Sequence, residues 1–231
     1  MLKDKFVLSI ILITLLTVIG GAFAVSKINS PKVTETRQAV ANKELLTVVQ
    51  SDWVKGAENA QVTVVEYLDF ECEACRVYYP IVKQLTADYK DKVKFVVRYF
   101  PLPGHKNSMT SALAVEAAGR QGKFWEMHDL LYEKQTEWGE NGKATPEVFE
   151  KYAQELGLNM DQYKIDTKNS EVKKRITRDR DTGTALGVQG TPTFFVNGDK
   201  IPNPRGIADF KNLLDGFLNE VATPSALPPK G

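Results

Sequence analysis

The only two cysteines of the chain, Cys72 and Cys75, stand where one sequence periodicity stops and another starts. Ahead of them, Gln61-Val-Thr-Val-Val-Glu-Tyr-Leu-Asp-Phe70 is β-branched and apolar, the pattern of a buried central strand. Behind them, Val77, Tyr78, Ile81, Val82 and Leu85 recur at helical spacing, so the cysteines open a helix. A second apolar run, Val93 to Phe100, stops at Pro101-Leu-Pro103-Gly104. Strand, helix and strand in that order predict a parallel pair joined by a right-handed crossover. A disulfide between cysteines this close would shut almost no loop and so stabilise the fold little. The pair is there for chemistry.

The rest of the chain fits an α/β fold. Ser111-Ala-Leu-Ala-Val-Glu-Ala-Ala118 is a strong helix former, and Gly122 separates it from the amphipathic Phe124–Tyr132. Further helices are expected at Pro146–Leu156, Asp161–Ile165 and Ser170–Leu186. Thr193–Val196 returns to strand, Asn197-Gly198 is a hairpin signal, Lys200-Ile201 is its short partner, and Ile207–Val221 closes as an amphipathic helix. The Pro-rich tail from Thr223 is read as frayed.

Location is written at the start. Lys3 and Lys5 precede an apolar run from Phe6, which passes through Gly20-Gly21 to Ala22-Phe23-Ala24. This reads either as a signal peptide cleaved after Ala24 or as an uncleaved membrane anchor over residues 1–25. Both readings put the remainder outside the cytoplasm, with the basic end inside. Residues 26–44 are polar and aperiodic, a linker. The net charge of +1 supplies no electrostatic reason for a nucleic-acid partner.

A thiol at a helix N-terminus faces unpaired backbone N–H groups and the positive end of the helix dipole. Cys72 is therefore expected to titrate below the free value of about 8.5, with Cys75, one turn further in, as the resolving thiol. A structural zinc site needs four ligands, and beyond the cysteines the chain has only two histidines, His105 and His128. His128 falls inside a helix as a packed or surface residue, and His105 in a loop after Pro103-Gly104. A copper-binding thiol module is the alternative from another class. Pro192 heads an apolar strand, which calls either for a cis Thr191–Pro192 bond or for the strand to begin there.

In combination, the strand–Cys72-Glu-Ala-Cys75–helix order, Gly190-Thr191-Pro192 before a strand and an Asn-Gly turn, and the helical stretch between them resemble DsbA-like thiol–disulfide oxidoreductases. Ala118-Gly-Arg-Gln-Gly-Lys-Phe-Trp-Glu-Met-His128 resembles the insertion of the BdbD type. The resemblance runs from about Trp53 to Val221. It implies a thioredoxin fold with an inserted helical domain: core over 45–106 and 187–222, insertion over 107–186, and a tail over 223–231. It further implies Cys72 as attacking thiol, Cys75 as resolving thiol, Thr191 and a cis Pro192 facing both sulfurs, and Glu66 as a buried acid that relays a proton to Cys75.

The same resemblance implies no cofactor, exported polypeptides with free cysteines as substrates, a membrane redox partner of DsbB or vitamin K epoxide reductase type, and a monomer. A reductase or isomerase of the same fold is the alternative. One departure stands out: Glu73 and Ala74 occupy the positions where strong oxidants of the family carry proline and often histidine. Glu73, with Asp69 and Glu71 near it, is expected to disfavour the Cys72 thiolate. Losing a cationic partner would raise the pKa by about 1 unit, or about 1.4 kcal/mol. For a two-electron couple that is roughly 30 mV towards a weaker oxidant.

Overall fold

The computed structural model describes residues 42–139 and 142–222. The expected anchor or signal, most of the linker and the tail lie outside them. Among the described residues no helix is long and apolar enough to cross a membrane. Of the N-terminal unit, residues 1–44, only 42–44 are described, and the architecture below is that of the compact unit from Leu45 onward.

Five strands form one mixed sheet in the order β1-β3-β2-β4-β5. They are β1 (Trp53–Gly56), β2 (Val62–Leu68), β3 (Val93–Tyr99), β4 (Thr193–Val196) and β5 (Asp199–Ile201). β2 and β3 run parallel, in a register that sets Glu66 beside Val97. The connection between them is α1 (Glu73–Asp88), the crossover helix expected behind the cysteines. β2 is flanked on its other edge by antiparallel β4, with Glu66 opposite Phe194, so it is the central strand that its apolar run predicts. At the β4–β5 hairpin Asn197 and Gly198 both take positive φ, 49° and 96°, the conformation for which Asn-Gly is selected. β1, antiparallel to β3 at the sheet edge, was not foreseen: four residues ending in a glycine carry too little alternation to announce a strand.

Between β3 and β4 come six helices: α2 (Ser108–Gly119), α3 (Phe124–Glu133), α4 (Gln135–Trp138), α5 (Pro146–Glu155), α6 (Met160–Asp166) and α7 (Ser170–Ala185). A last helix, α8 (Ile207–Ala222), follows β5.

Side chains alternate across the sheet, and each face has its own core. On one face Val62, Val64, Phe95, Phe194 and Val196 pack under Leu85 of α1 and Phe210 and Leu214 of α8. On the other, Val65, Tyr67, Val96 and Phe195 meet Leu46, Leu186 and Val188. The helices α2–α6 pack around Val115, Met127, Trp138, Phe149 and Tyr152, and reach the sheet at Leu68, Val97 and Tyr99. By this alternation Glu66 lies on the α1 side of β2, between Val64 and Leu68. That parity is what carries a carboxyl group under the cysteine-bearing helix.

Two polar features fasten β3 and β1 to the segments around them. Arg98 is buried, and its Nη1 donates to the Leu45 carbonyl at 2.6 Å. Its Nη2 donates to the Thr47 carbonyl at 2.8 Å and to Asp52 Oδ2 at 3.0 Å. Trp53 stacks on Phe124 with ring centroids 4.2 Å apart and donates its indole N–H to Glu116 at 2.6 Å. The indole lies so close to α2 that a Cβ on Gly119 would stand 2.4 Å from it.

Candidate active site

The β2–α1 junction is built from side chains folded back onto backbone. Asp69 Oδ1 accepts the Glu71 N–H at 2.9 Å, and the Asp69 carbonyl accepts the Cys72 N–H at 3.1 Å, which closes the turn. Asp69 Oδ2 accepts the Leu102 N–H at 2.9 Å and the Ser108 hydroxyl, and it lies 2.8 Å from His105 Nδ1. Glu71 accepts the Asn107 N–H at 2.6 Å. The two acids next to the cysteines thus hold the β3–α2 loop against the turn. His105, for which the sequence left both a surface loop and a place at the site open, is drawn in by Asp69, whose carboxylate raises its pKa against the opposing effect of partial burial.

Cys72 is the N-cap residue of α1, with extended backbone (φ −71°, ψ 119°) and no side-chain cap. Its thiol donates to the Thr191 carbonyl at 3.3 Å, across a Thr191–Pro192 bond that is cis. Both cysteines are free thiols, Cys72 8% and Cys75 1% exposed. That difference in depth separates their acidities. The Cys72 pKa is lowered to about 6, chiefly by a hydrogen bond from the Cys75 thiol, with backbone N–H groups of Cys75 and Ala74 adding to it against the cost of burial. The Cys75 thiol is pushed well above its ordinary value, first by burial and then by the sulfur of Cys72 and the carboxyl of Glu66.

The acids expected to weaken the thiolate do not lead. Glu73 is exposed on the first turn of α1, and neither it, Asp69 nor Glu71 ranks among the leading causes of the Cys72 shift. The net movement is downward, in the direction set by the helix N-terminus. Glu66 is buried, and burial lifts its carboxyl to about 8, so at neutral pH it keeps its proton.

Gln135 was not foreseen. It is fully buried, and its Nε2 donates to the carbonyls of Phe70 at 2.6 Å and Cys72 at 3.0 Å, while its Oε1 accepts from Arg76 Nε at 2.9 Å. The one signal in the sequence is a glutamine on the stripe Leu131, Gln135, Trp138, where an apolar residue belongs. His128 is packed, as its helical position suggested, among Phe70, Trp125 and Tyr132. Among the described residues no cluster of three or more His, Cys, Asp or Glu is arranged to hold a metal ion.

The thiolate gives a measurable pH signature. Its folded pKa lies below the unfolded value, so it stabilises the reduced fold above the unfolded pKa, and that contribution is lost as pH falls through about 6. Thiolate absorbance of the reduced protein is expected to titrate with a midpoint near 6. Cys75→Ala, which removes the leading hydrogen bond, should move the midpoint up by about 1–2 units, as a charged hydrogen bond of about 1.5–3 kcal/mol implies. A wild-type midpoint near the free-cysteine value would contradict this geometry.

The family model described as Thioredoxin matches residues 49–216. BdbD from Bacillus subtilis, in its oxidised form, superposes with a TM-score of 0.64 at 26% identity, over 74% of this chain and 95% of that one. Alpha-DsbA1 from Wolbachia pipientis superposes with a TM-score of 0.71 at 18% identity, over 78% and 98%, a likeness of fold. A curated relative, the Na(+)/H(+) antiporter NhaA 3 of Salinispora tropica, is 41% identical over 157 residues. That match takes in 68% of this chain but 23% of the relative, so the chain spans about a quarter of that protein's length.

Proposed function

The chain belongs to the thioredoxin family, among its DsbA-like thiol–disulfide oxidoreductases, and on that premise we propose that it introduces disulfides into exported proteins. The observation that carries this is the asymmetry of the pair: a Cys72 thiolate favoured at neutral pH beside a Cys75 thiol that is not. In the oxidised enzyme a substrate thiolate attacks Cys72 Sγ, a mixed disulfide forms, and the electron pair of the broken Cys72–Cys75 bond goes to Cys75 Sγ. Cys75 takes up a proton, for which protonated Glu66 is the nearby source. The second substrate thiolate then attacks the substrate sulfur of the mixed disulfide, releasing oxidised substrate and the Cys72 thiolate. Every electron passes between sulfurs, and the chemistry calls for no cofactor. The Thr191 carbonyl, 3.3 Å from Cys72 Sγ, and the Pro192 that follows it are the backbone against which an extended substrate would lie.

The same asymmetry supports the oxidising direction. Whatever lowers the Cys72 pKa stabilises the dithiol form and makes the disulfide a better oxidant. The catalytic unit is read as a monomer working outside the cytoplasm, held by an uncleaved N-terminal anchor or secreted, and reoxidised by a membrane partner of DsbB or vitamin K epoxide reductase type. The test is the reduction potential of the Cys72–Cys75 couple against glutathione. An oxidase is expected to lie clearly above the roughly −270 mV of thioredoxin, and a value at or below it would make the protein a reductase.

A further inference from the structure

Behind the cysteine pair, α1, α3 and the sheet enclose a cavity of about 30 Å³ lined by Glu66, Tyr132, His128, Asp129 and Lys83 among apolar side chains. That volume has room for roughly one or two water molecules, and the lining offers the polar partners water needs. Tyr132 is 3% exposed, yet its hydroxyl has no hydrogen-bond partner among the described residues. A buried hydroxyl left without a partner costs about 1–3 kcal/mol, which a bridging water would remove. Tyr132 and Glu66 line the same cavity, and after burial the charges of Cys75 and Glu66 do most to push the pKa of this hydroxyl up.

A line of polar contacts leads on from the cavity to solvent. His128 Nδ1 lies 3.0 Å from Asp129 Oδ1, and Asp129 Oδ2 lies 2.9 Å from Lys83 Nζ, whose side chain is 47% exposed. Asp129 is held to about 2 with the His128 and Lys83 contacts overcoming burial, so it is an anion and His128 Nδ1 donates to it. That leaves His128 Nε2 as the acceptor.

We propose that this cavity is a hydrated proton path in which Tyr132 and His128 relay protons between Glu66 and the Asp129–Lys83 pair at the surface. The inference rests on the exchange reading above and supplies what that reading lacks. Each reduction of the enzyme disulfide moves one proton from Glu66 to Cys75, and Glu66 recovers one from solvent unless Cys75 returns its own on reoxidation. Solvent delivers it through His128 and the cavity water, and the path runs in reverse when the pair is reoxidised. Both residues act through Glu66 and touch no reacting sulfur. The titratable groups facing Glu66 are Cys75, Tyr79 and Lys83 of α1, His128, Asp129 and Tyr132 of α3, and Lys55 of β1. Its neighbours from β3, β4 and α8, namely Val97, Phe194 and Phe210, are apolar.

The test uses Tyr132→Phe and His128→Ala in the full chain. Two quantities are read: the pH profile of single-turnover oxidation of a dithiol peptide, and the rate at which the Glu66 carboxyl deuterates in heavy water, followed by infrared. Both variants should slow Glu66 deuteration, and above pH 8, where Glu66 enters the step without its proton, they should lower the single-turnover rate about 10²-fold, the low end for positioned proton transfer, while the Cys72 titration midpoint stays in place. Imidazole added to His128→Ala, where it fits the space of the missing ring, should restore the rate. Unchanged pH profiles and unchanged deuteration in both variants would overturn the relay. So would a uniform loss of rate that imidazole does not restore and that leaves deuteration as in wild type. The deuteration rate needs no substrate. If the wild type transfers no disulfide but the variants still deuterate more slowly, the oxidase reading falls and the relay stands.

Discussion

Cys75→Ala is expected to stop catalytic turnover while leaving the first bond-forming step intact. Cys72 keeps its place at the N-cap of α1 and its contact with the Thr191 carbonyl, so its thiolate still attacks an oxidised peptide and expels a peptide thiolate. What disappears is the second sulfur, which alone can release the conjugate from within the protein. Multiple turnover should fall on the order of 10³-fold or more, as it does when one member of a cooperating catalytic group is removed. A covalent conjugate should accumulate to one peptide per protein. Mass spectrometry of the quenched mixture reads both quantities, and Cys72→Ser should form no conjugate at all. If Cys75→Ala forms none either, or resolves it at the wild-type rate, the assigned order of attack is wrong.

The largest expected effect on stability lies on the other face of the sheet. Asp52 and Arg98 have side chains 0% and 4% exposed and meet at 3.0 Å. Removing Asp52 strands a guanidinium where water cannot reach it, at a cost of about 3–5 kcal/mol. It also releases the Val49 N–H, which Asp52 Oδ2 accepts at 2.9 Å, and so loosens the segment from Leu45 that Arg98 ties to the sheet. Asp52→Ala should lower the melting temperature by roughly 10 °C, at about 2–4 °C per kcal/mol for a chain of this size. Asp52→Leu combined with Arg98→Met should be less damaging than Asp52→Ala alone, because no charge is then buried unpaired. A loss of only a degree or two in Asp52→Ala would show that the pair contributes little.

These two predictions differ in how far the sequence foretold them. The cysteines, the central strand, the parallel crossover and the Asn197-Gly198 hairpin are local patterns, written in consecutive residues whose periodicity or turn chemistry has a physical reading. Glu66 was placed by the resemblance, which puts an acid six residues before the first cysteine, and strand parity explains why it ends up buried. Arg98 and Asp52 are 46 residues apart, and Gln135 stands 63 residues from the Cys72 carbonyl it binds. Pairings of that range follow from packing, and nothing local announces them. Asp69 and Glu71 make the point from the opposite side. Adjacency in sequence suggested charge beside the thiolate, whereas the fold spends both carboxylates as acceptors for the β3–α2 loop.

Gln135 has a consequence for anyone who would move this chemistry elsewhere. Its amide grips the turn at Phe70 and Cys72 and the guanidinium of Arg76 from α4, beyond the crossover unit that carries the cysteines. The Cys-Glu-Ala-Cys tetrapeptide is therefore not a portable cassette. Grafted into a host without a glutamine reaching over from outside, it would bring the sulfurs and leave behind the hand that aims them. A chimera that exchanges the helices between β3 and β4 would transplant reactivity along with shape.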